Sequence, residues 1–204
     1  ALRLTGIESG VEITTIADIP GQGTGLGSSS SVTVGLLNAM HAFQGREVSK
    51  EQLAEEACQI EIDTLGAPIG RQDQYAASFG GVNSIRFGEN GVQVEPIEVS
   101  EGLSKKLYES FTLVFTGLTR SASKVLSEQS DDESDKNSRM REIRKHADEA
   151  ASHIENGDLD SLGAILNQTW ISKRGVSSMV TNTQIDDLYE RAISSGAIGA
   201  KLLG

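Results

Sequence analysis

The chain has 204 residues, with 18 Lys plus Arg against 29 Asp plus Glu and a formal net charge of −11. That balance argues against a general nucleic-acid binder, whose affinity must come from neutralising phosphates, but it allows a small anion held by local N–H groups and one or two cations. No apolar run approaches the roughly 18 to 20 residues of a membrane span, and no basic-then-apolar leader opens the chain. The expectation is a soluble cytoplasmic protein with no membrane partner.

In chain order, residues 11–17 alternate enough to predict a strand. They lead into the most informative run of the sequence, Pro20-Gly21-Gln22-Gly23-Thr24-Gly25-Leu26-Gly27-Ser28-Ser29-Ser30-Ser31. Glycines at 21, 23, 25 and 27 let the backbone take positive φ and approach an anion closely. The N–H groups that open the next helix then face that anion, with the helix dipole behind them. The serines add hydroxyl donors and a possible magnesium ligand, or simply cap the helix. No Lys follows the last glycine, as a Walker A loop requires, and no G-x-G-x-x-G can be read in any register.

Residues 28–43 place Val32, Leu36, Met40 and Phe43 on one helical face. Ser49 followed by Gln52 reads as a capping box that opens a helix through about residue 65. The single Cys58 falls in that helix among Leu53, Ala54, Ala57 and Ile60 and reads as a core thiol suited to a reducing compartment. His41, His146 and His153 are too far apart for a zinc site. Residues 82–87 and 92–99 flank Gly88-Glu89-Asn90-Gly91 and predict a β-hairpin. Residues 111–116 form a compact apolar segment, predicted as a strand. Amphipathic helices are predicted at 121–129, 139–156, 159–170 and 184–195, with the acidic 131–135 as a solvated loop. The class is α+β, in an order that does not suggest repeated βαβ units.

The glycine-serine loop, taken with Gly70-Arg71-Gln72-Asp73-Gln74-Tyr75, Phe79-Gly80-Gly81 and Gly199-Ala200-Lys201-Leu202-Leu203-Gly204, resembles the GHMP kinases. The blocks Ile60-Glu61-Ile62-Asp63, Thr116-Gly117-Leu118-Thr119-Arg120 and Trp170-Ile171-Ser172-Lys173-Arg174 look most like the sugar kinases of that superfamily, close to the heptose 7-phosphate kinases and fucokinase-like proteins. The resemblance implies a two-lobe fold of mixed sheet and helices with a ferredoxin-like helical C-terminal lobe. It implies an ATP-binding N-terminal domain over 1–110 and a C-terminal domain over 111–204, together the core segment of a longer kinase.

It also implies roles. Gly23, Gly25, Leu26, Gly27, Ser28, Ser29 and Ser30 would cradle the phosphates of ATP, with Ser29 and Glu61 as ligands of Mg²⁺, a hard ion that favours oxygen donors. Asp73 matches the catalytic aspartate that takes or orients the proton of the acceptor hydroxyl, and a rival reading makes it a helix cap. Arg71 faces phosphate or pairs with an acid. Thr119 and Arg120 are acceptor-binding candidates, since a guanidinium fork suits a substrate phosphate, with Lys173 and Arg174 as further cations. Lys201, Gly199 and Gly204 belong to the third motif. The implied activity is phosphorylation of the anomeric hydroxyl of a heptose 7-phosphate. A fucose or other hexose kinase, and a non-catalytic nucleotide-binding relative, stay open as alternatives.

Overall fold

The computed structural model describes residues 1–17, 25–118, 133–177 and 180–203. Gly23, Thr119, Arg120, Gly204 and the predicted helix at 121–129 lie outside these. The chain divides into two compact units. One is built mainly from Ala1–Ile85, and the other from Arg86–Gly117 with the described part of Lys124–Leu203.

In the first unit, α1 (Leu2–Thr5), α2 (Ser28–Phe43), α3 (Lys50–Cys58) and α4 (Gln72–Phe79) pack on one another. Their core is Val34, Leu37, Leu53 and Ala57, with Leu4, Val48, Ile60 and Ala77 against it. The buried stripe of α2 is Ser30, Val34, Leu37, Met40 and His41. It is only partly the predicted face, since Met40 is buried but Val32 and Phe43 are exposed. Hydropathy discounts Ser30 and His41, yet both are buried because each has a carboxylate partner. His41 Nε2 lies 2.7 Å from Glu56 Oε2, and Ser30 donates to Glu61. Burial of polar groups is inexpensive once they are paired.

The capping reading of Ser49 is half realised. Its Oγ accepts from the Gln52 N–H at 3.1 Å, while the Gln52 side chain turns to Glu56 at 2.8 Å. The predicted helix through residue 65 is not uniform either: α3 runs on into a wider π-helical turn, Gln59–Thr64, closed by the Leu65 N–H bonded to the Ile60 carbonyl at 2.9 Å. Cys58 is buried as expected, and burial pushes its thiol up. Lys50 ties the start of α3 to the end of α4, donating to the Phe79 carbonyl at 2.9 Å.

The expected hairpin is present as β1 (Asn83–Gly88) and β2 (Gly91–Pro96), with Gly91 at φ 116° in the turn. These are the strands among the described residues, and they pair with each other. The strands predicted at 11–17 and 111–116 are therefore corrected. Both segments lack regular structure, because alternation and apolarity make a strand only where a neighbour supplies the ladder. Their apolar side chains stay exposed, Ile16 at 92% and Phe115 at 68%.

The second unit adds α5 (Glu101–Ser110), which the sequence reading missed although Ser100 caps it by accepting from the Leu103 N–H at 3.2 Å. It continues with α6 (Glu133–Asn156), α7 (Leu159–Arg174) and α8 (Thr183–Ser194). The acidic stretch expected as loop is helical from Glu133. Within it Asp135 pairs with Arg139 at 2.8 Å one turn on, a spacing that supports the helix. α6 packs on α7, and Leu162, Ile165 and Trp170 of α7 are buried.

Gly199 lies so close to α7 that a Cβ there would overlap the Gly163 carbonyl and sit 3.0 Å from Asn167. Gly199→Ala should therefore destabilise this unit by about 1–3 kcal/mol, the usual effect of overpacking. Urea unfolding at an unchanged m-value would register it, and an unaltered midpoint would show that the close approach is not retained in solution.

Candidate active site

The site grows from the two ends of short helices in the first unit. Gly27 precedes α2 in the left-handed region, φ 66°, and Gly25 is left-handed as well at φ 70°. The N-cap of α2 is Gly27, which has no side chain to cap it, so the entry to the helix is shaped by glycine. The first N–H groups of a helix have no intrahelical acceptor, which suits them to an anion. Leu26 is partly exposed beside them.

The serines that follow point elsewhere. Ser29 Oγ donates to Glu61 Oε1, Ser30 Oγ donates to Glu61 Oε2 at 2.7 Å, and Thr33 one turn on reaches Oε1 at 3.4 Å. Glu61, at the π-helical turn, is only 2% exposed. A fourth donor comes from α4, where Gln74 Nε2 lies 2.5 Å from Glu61 Oε2. All four partners are neutral, and among the described residues no Lys, Arg or His pairs with this carboxylate. A buried carboxylate satisfied only by neutral donors keeps its negative charge uncompensated. That donor set fits a hard divalent cation, with Ser29 and Glu61 offering oxygens side by side. No group of three or more His, Cys, Asp or Glu among the described residues could hold a metal alone, so further oxygens would come from water and a bound phosphate.

Asp73 stands in the first turn of α4, with its carboxyl against Gly27. A Cβ at Gly27 would lie 3.4 Å from the Asp73 Cγ. Glycine suits position 27 for its backbone angle, since a Cβ there would make only ordinary contact with the acid. The residue before α4 is Arg71, and Asp73 makes no cap hydrogen bond, so the capping alternative fails. Partial burial, and then the nearby charge of Glu61, push the Asp73 carboxyl above the usual aspartate range.

Arg71 takes the acid-pairing side of its two readings. It forms an ion pair with Glu55 of α3 and lies over the Tyr75 ring, 5.6 Å from its centre. Tyr75 also donates to Glu55, and burial with that bond pushes its phenol up. Together these contacts anchor the start of α4 to α3. Ser29, Ser30, Glu61, Asp73 and Gly27 are therefore gathered, with Arg71 on the scaffold beside them. Gln74 was missed. No local signal in the sequence could have found it, since it meets Glu61 only when α4 packs beside the π-helical turn.

Over residues 1–81 the sequence matches the family described as GHMP kinases N terminal domain. This stretch is a GHMP kinase N-terminal domain. The match ends just after α4 and so contains every residue of the cluster. A D-glycero-alpha-D-manno-heptose 7-phosphate kinase of Campylobacter jejuni is 33% identical over 93% of the chain and 57% of its own length. A mevalonate kinase of Aeropyrum pernix is 33% identical over 88% of the chain and 53% of its own length. Among solved structures, a D-glycero-D-manno-heptose 1-phosphate kinase from Bacteroides thetaiotaomicron superposes with a TM-score of 0.69 at 28% identity, covering 92% of this chain and 52% of that one. The chain thus has the α+β architecture of the GHMP kinases, and it spans about half the length of the curated relatives it matches.

Proposed function

We propose that this chain carries the phosphate cradle and catalytic acid of an ATP- and Mg²⁺-dependent cytoplasmic kinase that phosphorylates the anomeric hydroxyl of D-glycero-D-manno-heptose 7-phosphate. The supporting observation is the buried Glu61 carboxylate, bonded to Ser29 and faced by no cation among the described residues, within the same small cluster as Asp73 on Gly27. Binding of nucleotide alone would not require an acid at Asp73, which counts against a non-catalytic relative.

The roles follow from phosphoryl transfer, in which catalysis is mostly positioning and charge stabilisation. Gly25, Gly27 and the first N–H groups of α2 hold the phosphate oxygens. Ser29 and Glu61 hold Mg²⁺, which supplies positive charge to the transferring phosphoryl group. Asp73 accepts or orients the proton of the acceptor hydroxyl, and its raised pKa makes it a better base than an ordinary aspartate. No helix among the described residues is long and apolar enough to cross a membrane. The ATP-binding N-terminal domain is taken as 1–110 and the C-terminal domain as 111–204.

Thr119 and Arg120 remain the acceptor candidates, with the guanidinium as a fork for the distal phosphate. The full-length protein should therefore strongly prefer heptose 7-phosphate over the free heptose, fucose, other hexoses and mevalonate. Arg120→Ala should erase most of that preference and leave the KM for ATP unchanged. Equal kcat/KM for phosphorylated and free sugars would move the assignment to a fucokinase-like enzyme.

A further inference from the structure

The Gln74 side chain is completely buried, yet its Oε1 has no hydrogen-bond partner. Its Nε2 is spent on Glu61 Oε2, and because a carboxylate can only accept, that bond fixes which way round the amide lies. An unpaired buried acceptor is uncommon in a folded protein and calls for a reason. Packing does not supply it, since an apolar side chain of similar size would fill the same space without an orphaned oxygen. The reason lies on the other end of the amide.

Ser30 and Gln74 both donate to Glu61 Oε2, from α2 and α4 respectively. Oε2 is therefore held from two sides, which sets the plane of the carboxylate and leaves Oε1 beside Ser29 Oγ. We propose that Gln74 is a positioning residue for the divalent cation: it anchors Oε2 of Glu61 so that Oε1 and the Ser29 hydroxyl are presented together. Outer partners of metal ligands commonly act in this way. Gln74 also adjoins Asp73 on α4, so the same short helix sets the ligand and carries the catalytic acid. The inference rests on the reading of Glu61 as a cation ligand.

The test uses Mn²⁺ as probe on the full-length protein with a non-hydrolysable ATP analogue, following free Mn²⁺ by electron paramagnetic resonance. Gln74→Met, similar in length but unable to donate, should weaken Mn²⁺ binding about 10- to 100-fold. Affinity for the analogue in EDTA should stay unchanged, which a merely structural role would not spare. Glu61→Gln, run alongside, separates the two levels of the inference. If it loses Mn²⁺ while Gln74→Met binds within about threefold of the parent, the positioning role is overturned and the ligand role stands. If Glu61→Gln keeps Mn²⁺ affinity, the ligand reading falls, and the positioning role with it. Should Gln74→Met not fold, the unaltered protein still decides. The Gln74 side-chain amide protons should be shielded from solvent exchange and shift when Mg²⁺ is added with the analogue, whereas rapid exchange and no shift would overturn the proposal.

Discussion

Asp73→Asn is expected to bind ATP nearly as the parent protein does while turnover falls by roughly 10²- to 10⁴-fold, the range for loss of a positioned acid or base. The geometry separates the two effects. The carboxyl lies against Gly27, whereas the proposed function assigns the phosphates to backbone N–H groups and Mg²⁺ to Ser29 and Glu61. Asparagine matches the shape and keeps the packing against Gly27, so a folding defect should not intervene. The pH profile gives a second check. Because burial and Glu61 raise the Asp73 pKa, the carboxylate is lost as pH falls through a value above that of an ordinary aspartate. The acid limb of kcat/KM should sit correspondingly high in the parent and vanish in the residual activity of the variant. The sign for stability is opposite. A raised pKa favours the protonated folded form, so this group's contribution is present at low pH and lost as pH rises through the raised value. Near-normal turnover of Asp73→Asn would remove Asp73 from the chemistry.

A glycine-dense turn before four serines can be read without tertiary structure, whereas Glu61 and Asp73 stand out among the many acids of the chain only through the resemblance to the GHMP kinases. The way they meet could not be read. Hydropathy put Val32 and Phe43 on the inner face of α2, since nothing in the sequence says that Ser30 and His41 would find carboxylate partners on the neighbouring helix. Gln74 escaped for the same reason, as its role exists only once α4 is laid beside Glu61. The π-helical turn at Glu61 has no local signature, because i to i+5 bonding differs from a helix end only in register. The failed strands at 11–17 and 111–116 make the complementary point. Their pattern is a statement about which side chains want cover, and a strand forms only where a neighbouring strand provides hydrogen bonds. Caps are local, yet only that of Ser49 was read: Ser100, Asp158 and Asn182 likewise accept from an N–H three residues on.

Glu61→Gln should raise the Mg²⁺ concentration needed for half-maximal activity by on the order of 10- to 100-fold or more, since even outer partners of a metal ligand have effects of that size. Ser29→Ala should produce a smaller shift, because water can replace a neutral hydroxyl around an ion that retains waters readily. A magnesium titration at saturating ATP reads both, and superimposable curves would end the ligand assignment. Stability distinguishes this from a folding role. Removing one partner from a buried ion pair is strongly destabilising, but Glu61 has no cationic partner among the described residues. Its replacement by glutamine relieves an uncompensated buried charge. The melting temperature of the metal-free variant should therefore match or exceed that of the parent, while the rise in melting temperature produced by Mg²⁺ and ATP together shrinks. A metal-free variant that melts well below the parent would show instead that Glu61 is retained to hold α2 and α4 together.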